Sequence, residues 1–89
     1  MRRDESFFKG QELILLYIAK RLREAKAVEE LLTQAGIDYL VEADLYMGGF
    51  LFRRALHGAF FYVTPDVDAR ARELMCASGY RPYNPDSMD

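Results

Sequence analysis

Residues that usually carry chemistry are scarce in this sequence. Its 89 residues include one cysteine (Cys76), one histidine (His57) and no tryptophan. A single cysteine forms no disulfide within the chain, and a histidine without such partners lacks the ligand spacing of a zinc site. We therefore expect a cytoplasmic protein in a reducing compartment, with no metal and no cofactor.

Long apolar runs and an excess of one charge are also absent. The longest apolar run, residues 13–19, is far shorter than the ~20 residues that span a bilayer. The N-terminus lacks the apolar centre of a signal peptide. Lysine and arginine total 12 against 14 acidic residues, for a net charge of -2, whereas sequence-independent nucleic-acid binders normally show a basic face. We expect no membrane partner, and nucleic acid is disfavoured.

The chain has enough apolar residues for one modest core. Hydrophobic residues make up 51% and charged residues 29%, which is typical of a globular chain rather than a disordered one. At this length we expect a single domain. The pattern predicts a polar N-terminal arm at 1–10, one domain at 11–83 and a flexible C-terminal tail at 84–89.

Changes of hydrophobic period predict the first half of the domain. Residues 12–19 form a strand that is apolar on both faces. Residues 21–35 then place their apolar side chains in one helical arc, and Gly36 is expected to end this helix in the left-handed conformation. Residues 37–45 alternate apolar and charged positions, which is typical of an edge strand.

The second half contains the segment that is hardest to interpret. Gly48 and Gly49 favour a hairpin turn leading into a long third strand, and a loop between glycines is the alternative. Residues 59–64 form a strand in either case. Thr64 and Pro65 suit the start of a second helix, which Gly79 ends, and residues 80–83 allow a short final edge strand.

This order of elements predicts an α+β, ferredoxin-like split βαβ sandwich, with an antiparallel sheet and two helices on one face. The first and third strands are expected in the centre. They are also the two runs without a polar face, so the side of the sheet away from the helices should be apolar and open. A patch of this kind marks a partner surface, and we expect a homodimer. The candidate interface residues are Leu13, Leu15, Tyr17, Phe50, Phe52, Phe60 and Tyr62.

Short motifs at the strand–helix junctions carry a family resemblance. They are LY at 16–17, EA at 24–25, LL at 31–32, AGI at 35–37, and YVTPDVDA at 62–69 leading into AREL at 71–74. Over residues 13–78 the chain resembles a family of small bacterial domains labelled putative signal-transducing proteins. The resemblance implies kinship with P-II-like ligand-sensing regulatory domains and implies no catalytic residue. This chain departs from the family at 45–52, which is unusually apolar.

The titratable side chains offer little for catalysis. Glu42 and Asp44 share one face of a strand, but no histidine, serine or metal signature accompanies them. His57 is interpreted as structural or incidental. Cys76 falls on the outer side of the second helix, and we interpret it as an exposed thiol without a role. We therefore expect no enzyme activity.

Two further patterns bear on ligands. Arg53 and Arg54 are a candidate anion contact, although in a strand they point to opposite faces, which favours solvated charges or dimer salt bridges. Aromatic residues on the first and third strands also match the base-stacking positions of an RNA-recognition domain. Its second motif fails at residues 57–62, where Ala59 and Phe60 have the wrong sizes.

These observations favour a non-enzymatic regulatory or protein-interaction module that acts as a homodimer through the open sheet face. The alternative is a small-molecule-sensing domain of the P-II or ACT type, with a small anionic ligand. An RNA-binding domain is the less favoured interpretation. A protein partner other than a second copy stays open.

Overall fold

Over the described residues the fold is α+β, with a four-stranded mixed sheet and two helices. A computed structural model describes residues 1–46 and 56–84, and the backbone alone at 43–46, 56 and 57. The elements in chain order are β1 (Arg2–Arg3), a 3-10 helix (Glu5–Phe8), β2 (Ile14–Ala19), α1 (Leu22–Gln34), β3 (Tyr39–Tyr46), β4 (Leu56–Val63) and α2 (Pro65–Ala77). The predicted turn at Gly48 and Gly49 and the tail beyond residue 84 lie outside the described residues.

The strands are arranged in the order β1-β3-β4-β2. β4 pairs antiparallel with both β3 and β2, and β1 pairs parallel with β3 at Tyr39 and Leu40. The predicted wholly antiparallel sheet is therefore wrong, because the N-terminal arm adds a parallel strand that no sequence pattern indicated. β1 also covers the start of β3, which was expected to be an edge strand.

The prediction of a central first strand is also wrong, since β2 lies at the end of the sheet. Residues 80–83 do run beside it, but they form no strand. The Tyr83 N–H donates to the Leu16 carbonyl of β2 at 2.7 Å. Pro82 has no N–H to donate, which limits the backbone pairing of this segment.

Both helices begin and end close to the predicted positions. α1 ends where Gly36 takes a φ of 74° and the Ile37 N–H donates to the Leu32 carbonyl at 3.0 Å. The predicted left-handed Gly36 is confirmed. α2 has Pro65 in its first turn, and Gly79 follows it with a φ of 90°.

One hydrophobic cluster joins both helices to the same side of the sheet. Side chains that alternate along β3 and β4 contribute Tyr39, Val41, Ala59, Phe61 and Val63, and the helices contribute Ala25, Val28, Leu32, Ala71 and Met75. Alternate strand residues share a face, so the two helices cover one face of the sheet. The opposite face is formed by the residues in between.

A β-bulge in β2 changes which of its side chains face the helices. Leu15 pairs with Tyr62 and Tyr17 pairs with Phe61, so Leu16 is an extra residue between them. Leu16 is fully buried, and Tyr17 packs against the same cluster. An inserted residue puts two neighbours on one side and shifts the alternation that follows.

The N-terminal arm is attached to the sheet through several contacts. The Arg3 guanidinium binds the Asp38 carboxylate at 2.9 Å, and the Asp4 carboxylate caps the 3-10 helix. Phe8 and Leu40 are 4% and 6% exposed, although neither belongs to the main cluster. The arm therefore contributes buried apolar surface outside the core between sheet and helices.

Candidate functional site

The face of the sheet away from the helices is predominantly apolar. Its centre is formed by Leu15, Ile18, Phe60 and Tyr62, which we call the open face. All four side chains are half-buried. Register places Leu15 beside Tyr62 and Ile18 beside Phe60. The four side chains thus form two neighbouring cross-strand pairs on one surface.

β3 forms the margin of the open face. Leu40 pairs with Tyr62, and Glu42 pairs with Phe60. Leu40 is buried, whereas Glu42 is exposed. Burial raises the pKa of Tyr62, and the nearby Glu42 carboxylate raises it further. The Tyr62 phenol is therefore neutral at physiological pH, where its O–H remains a hydrogen-bond donor.

Three of the predicted interface residues, Leu15, Phe60 and Tyr62, lie together on this face. Leu13 precedes β2 and is half-buried. The placement of Tyr17 on this face is wrong, because the bulge turns it towards the helices. Ile18 lies on the open face instead. A strict alternation of side chains along β2 would have placed Ile18 on the opposite face from Leu15. Phe50, Phe52, Arg53 and Arg54 lie outside the described residues.

Tyr17 links β2 to the start of α1. Its hydroxyl donates to the Glu24 carboxylate, and its ring meets the Tyr80 ring edge-on at 5.7 Å. Burial raises the pKa of Tyr17 strongly, and the hydrogen bond to Glu24 raises it further. The other Glu24 oxygen accepts from the Lys20 backbone N–H at 3.1 Å. Both oxygens of this carboxylate are thus engaged.

Beside Tyr17 and Glu24 lies a surface hollow of about 790 Å³. We call it the basic hollow, and it is lined by Lys20, Arg21, Arg23, Glu24, Ala27 and Tyr80. Its three cations form no ion pair with any residue that the structure describes. They also lie at the positive end of the α1 dipole, where cations are unfavourable.

Sequence reasoning missed the basic hollow. The signal was available, because three basic residues precede or open a helix that has no side-chain N-cap. Such an arrangement contradicts the usual preference for acidic and small polar residues at this position. Tyr80 could not have been added from sequence, since only the fold brings it beside Tyr17.

The described residues show few features of catalytic or metal centres. Within 1–46 and 56–84 no group of three or more histidine, cysteine or acidic side chains could hold a metal ion. Cys76 is free and exposed, as its helical position predicted. No helix in the described part of the chain is long and apolar enough to cross a membrane.

Comparison with known proteins gives no relative for this chain. No family model, curated protein or solved structure matches it. The resemblance to the putative signal-transducing family therefore stays a prediction. Functional inference rests on the open face and the basic hollow.

Proposed function

We propose that this protein is a non-enzymatic regulatory or interaction module of the cytoplasm, with a ferredoxin-like fold, that forms a homodimer through the open face. The observation that carries the proposal is the apolar group Leu15, Ile18, Phe60 and Tyr62 on the side of the sheet away from both helices. In the sheet β4 lies between β2 and β3, and in the chain α1 connects β2 to β3. Both features agree with the split βαβ arrangement. An exposed free cysteine agrees with a reducing compartment.

The size of the open face sets the strength of the expected dimer. Three strands ~4.8 Å apart and six residues long at ~3.3 Å per residue give roughly 300 Å² of sheet area. A standard stable interface buries about 800 Å² per partner. The described face thus supplies less than half of that area, so we expect a weak, concentration-dependent dimer. We expect the dimer to have two-fold symmetry, because the same self-complementary patch then forms the contact in both copies.

The direct test replaces one apolar side chain on the open face. Ile18→Ser puts a polar group at the centre of the proposed contact, and we expect it to abolish the dimer. Sedimentation equilibrium from micromolar to millimolar protein measures the effect, and circular dichroism checks that the fold is kept. Leu22→Ser is the matched control, since Leu22 is 73% exposed on α1 and lies off this face.

Two outcomes contradict the proposal. A wild-type chain that stays monomeric at millimolar concentration has no such dimer. A dimer that tolerates Ile18→Ser but dissociates with Leu22→Ser uses the α1 surface instead of the sheet.

The basic hollow favours a second candidate, a small-molecule sensor of the P-II or ACT type. Lys20, Arg21 and Arg23 surround a concave surface whose one acidic member, Glu24, already has both oxygens engaged. These cations form no ion pair with the described residues and lie beside an aromatic ring, so they suit an anionic ligand that carries a planar group. Such a ligand would also relieve the repulsion between the cations and the helix dipole.

Amide chemical shifts during titration with inorganic phosphate and with adenosine monophosphate test this candidate. We expect saturable shifts at residues 20–27, stronger for the nucleotide, and a loss of binding in Arg23→Gln. Lys26→Gln is the control, because Lys26 lies on α1 outside the hollow. Equal weakening in both variants would indicate nonspecific charge attraction and would contradict a built site.

A further inference from the structure

β2 is an unusual strand to find at the edge of a sheet. Its sequence, ILLYIA, has no charge, no proline and no glycine. Edge strands are normally protected by charges or proline, and short uncharged segments of high β-propensity are the ones that pair with other chains. The opposite edge follows the rule, because β1 consists of Arg2 and Arg3. β2 therefore needs protection from elsewhere in the molecule.

The segment 80–83, which we call the C-terminal strap, supplies this protection. It follows α2 after the turn at Gly79 and lies along the outer side of β2. The Tyr83 N–H donates to the Leu16 carbonyl at 2.7 Å. The Tyr80 ring packs on Tyr17. The strap thus occupies the position that an added strand would take, while itself forming no strand.

Arg72 of α2 holds the strap against β2. One guanidinium nitrogen, Nη2, donates to the Leu15 carbonyl at 3.2 Å, and Nη1 donates to the Tyr83 carbonyl. Nε donates to the Asp68 carboxylate at 2.9 Å, which fixes the guanidinium one helical turn away. One side chain therefore joins the helix, the bulge in β2 and the strap, and it occupies a backbone acceptor of the edge strand.

We propose that the C-terminal strap is a removable guard of the β2 edge, locked by Arg72. When the strap is released, the edge pairs with β2 of a second copy. The sequence of β2 indicates why a second copy of the chain would pair with this edge. Two copies of an uncharged strand can meet about a two-fold axis without like-charge repulsion. Their backbone hydrogen bonds would take the place of the bond from the Tyr83 N–H to the Leu16 carbonyl. This association uses the edge of the sheet and does not rest on the open-face dimer.

Two point variants release the strap in different ways. Tyr83→Pro removes the N–H that bonds to Leu16, and Arg72→Gln removes the donors to Leu15 and Tyr83. We expect either variant to raise the mass measured by light scattering. A closed dimer would raise it about twofold, and a larger assembly would raise it further. Arg81→Gln is the matched control, because Arg81 is exposed in the same segment and forms no ion pair with any residue that the structure describes.

Hydrogen exchange identifies the surface that associates. Pairing at the edge slows exchange of the β2 backbone amides, whereas face-to-face packing leaves edge amides open to solvent. Increased mass with slowed β2 exchange in the two variants, and in neither the wild type nor Arg81→Gln, supports the proposal. Unchanged mass with faster β2 exchange overturns it, because the edge is then exposed without associating. If Arg72→Gln unfolds, as circular dichroism would report, Tyr83→Pro decides alone.

Discussion

Tyr17 shows how a single side chain can serve the core and a surface at once. Its ring packs against the cluster between sheet and helices, and its hydroxyl reaches the Glu24 carboxylate at the start of α1. Because Glu24 also accepts from the Lys20 N–H, one carboxylate connects the strand, the loop and the helix. This connection fixes the chain at the start of α1, which has no side-chain N-cap.

The raised pKa of Tyr17 predicts a pH dependence of stability. Burial and the Glu24 hydrogen bond favour the neutral phenol in the folded state. Their contribution to the free energy of unfolding is complete below the unfolded-state pKa of ~10 and declines as the pH rises above it. We expect Tyr17→Phe to flatten the alkaline side of the stability profile, measured by urea unfolding between neutral pH and pH ~11. Tyr83→Phe, at an exposed tyrosine, should leave the profile unchanged, and an equal flattening in both variants would contradict the assignment.

Gly36 allows a second prediction about a single residue. Its φ of 74° ends α1, and a Cβ placed there would meet nothing within 4 Å. Strain at positive φ is therefore the whole cost of a side chain, and we expect Gly36→Val to lower the free energy of unfolding by about 1–2 kcal/mol. Gly36→Asn is the control, since asparagine tolerates this conformation better. A melting temperature unchanged by valine would contradict the structure of this turn.

At the scale of elements, the parts of the chain that obey a simple period were predictable. The arc of Ala25, Val28 and Leu32 in α1 and the glycine after each helix follow from local chemistry alone. The bulge in β2 does not, because all residues from Leu13 to Ala19 are apolar and an extra residue leaves no mark in such a run. Tyr17 was consequently assigned to the open face, where Ile18 lies instead. β1 was missed because a two-residue strand depends on its partner rather than on its own sequence.

The exposure of Cys76 provides a test of the position of α2. Ala71 and Met75 are buried on the inner side of this helix, and Cys76 lies exposed outside it. A thiol reagent should therefore label the folded protein within minutes, at the rate of the denatured chain or close to it. Labelling that requires denaturation would mean that a partner or a second copy covers this side of α2.

At the scale of the whole molecule, the two proposed associations use different surfaces of the sheet. The open face is apolar and lies away from the helices, and the β2 edge is a row of backbone groups under the C-terminal strap. The sequence indicated the first, since two strands lacked a polar side. It could not indicate the second, because the edge position of β2 depends on residues 80–83 failing to form a strand.

The separation of the two surfaces can be tested in one chain. Ile18→Ser removes apolar contact on the open face but leaves the β2 backbone able to pair, whereas Tyr83→Pro frees the edge and leaves the face intact. We expect the double variant to assemble as Tyr83→Pro does, with slowed exchange of β2 amides, while losing the weak dimer proposed for the wild type. Sedimentation and hydrogen exchange are measured on the wild type, the two single variants and the double variant, which together form a double-mutant cycle. If Ile18→Ser also abolishes the assembly caused by Tyr83→Pro, both associations use the open face, and the strap is a structural support of the monomer rather than a guard of its edge.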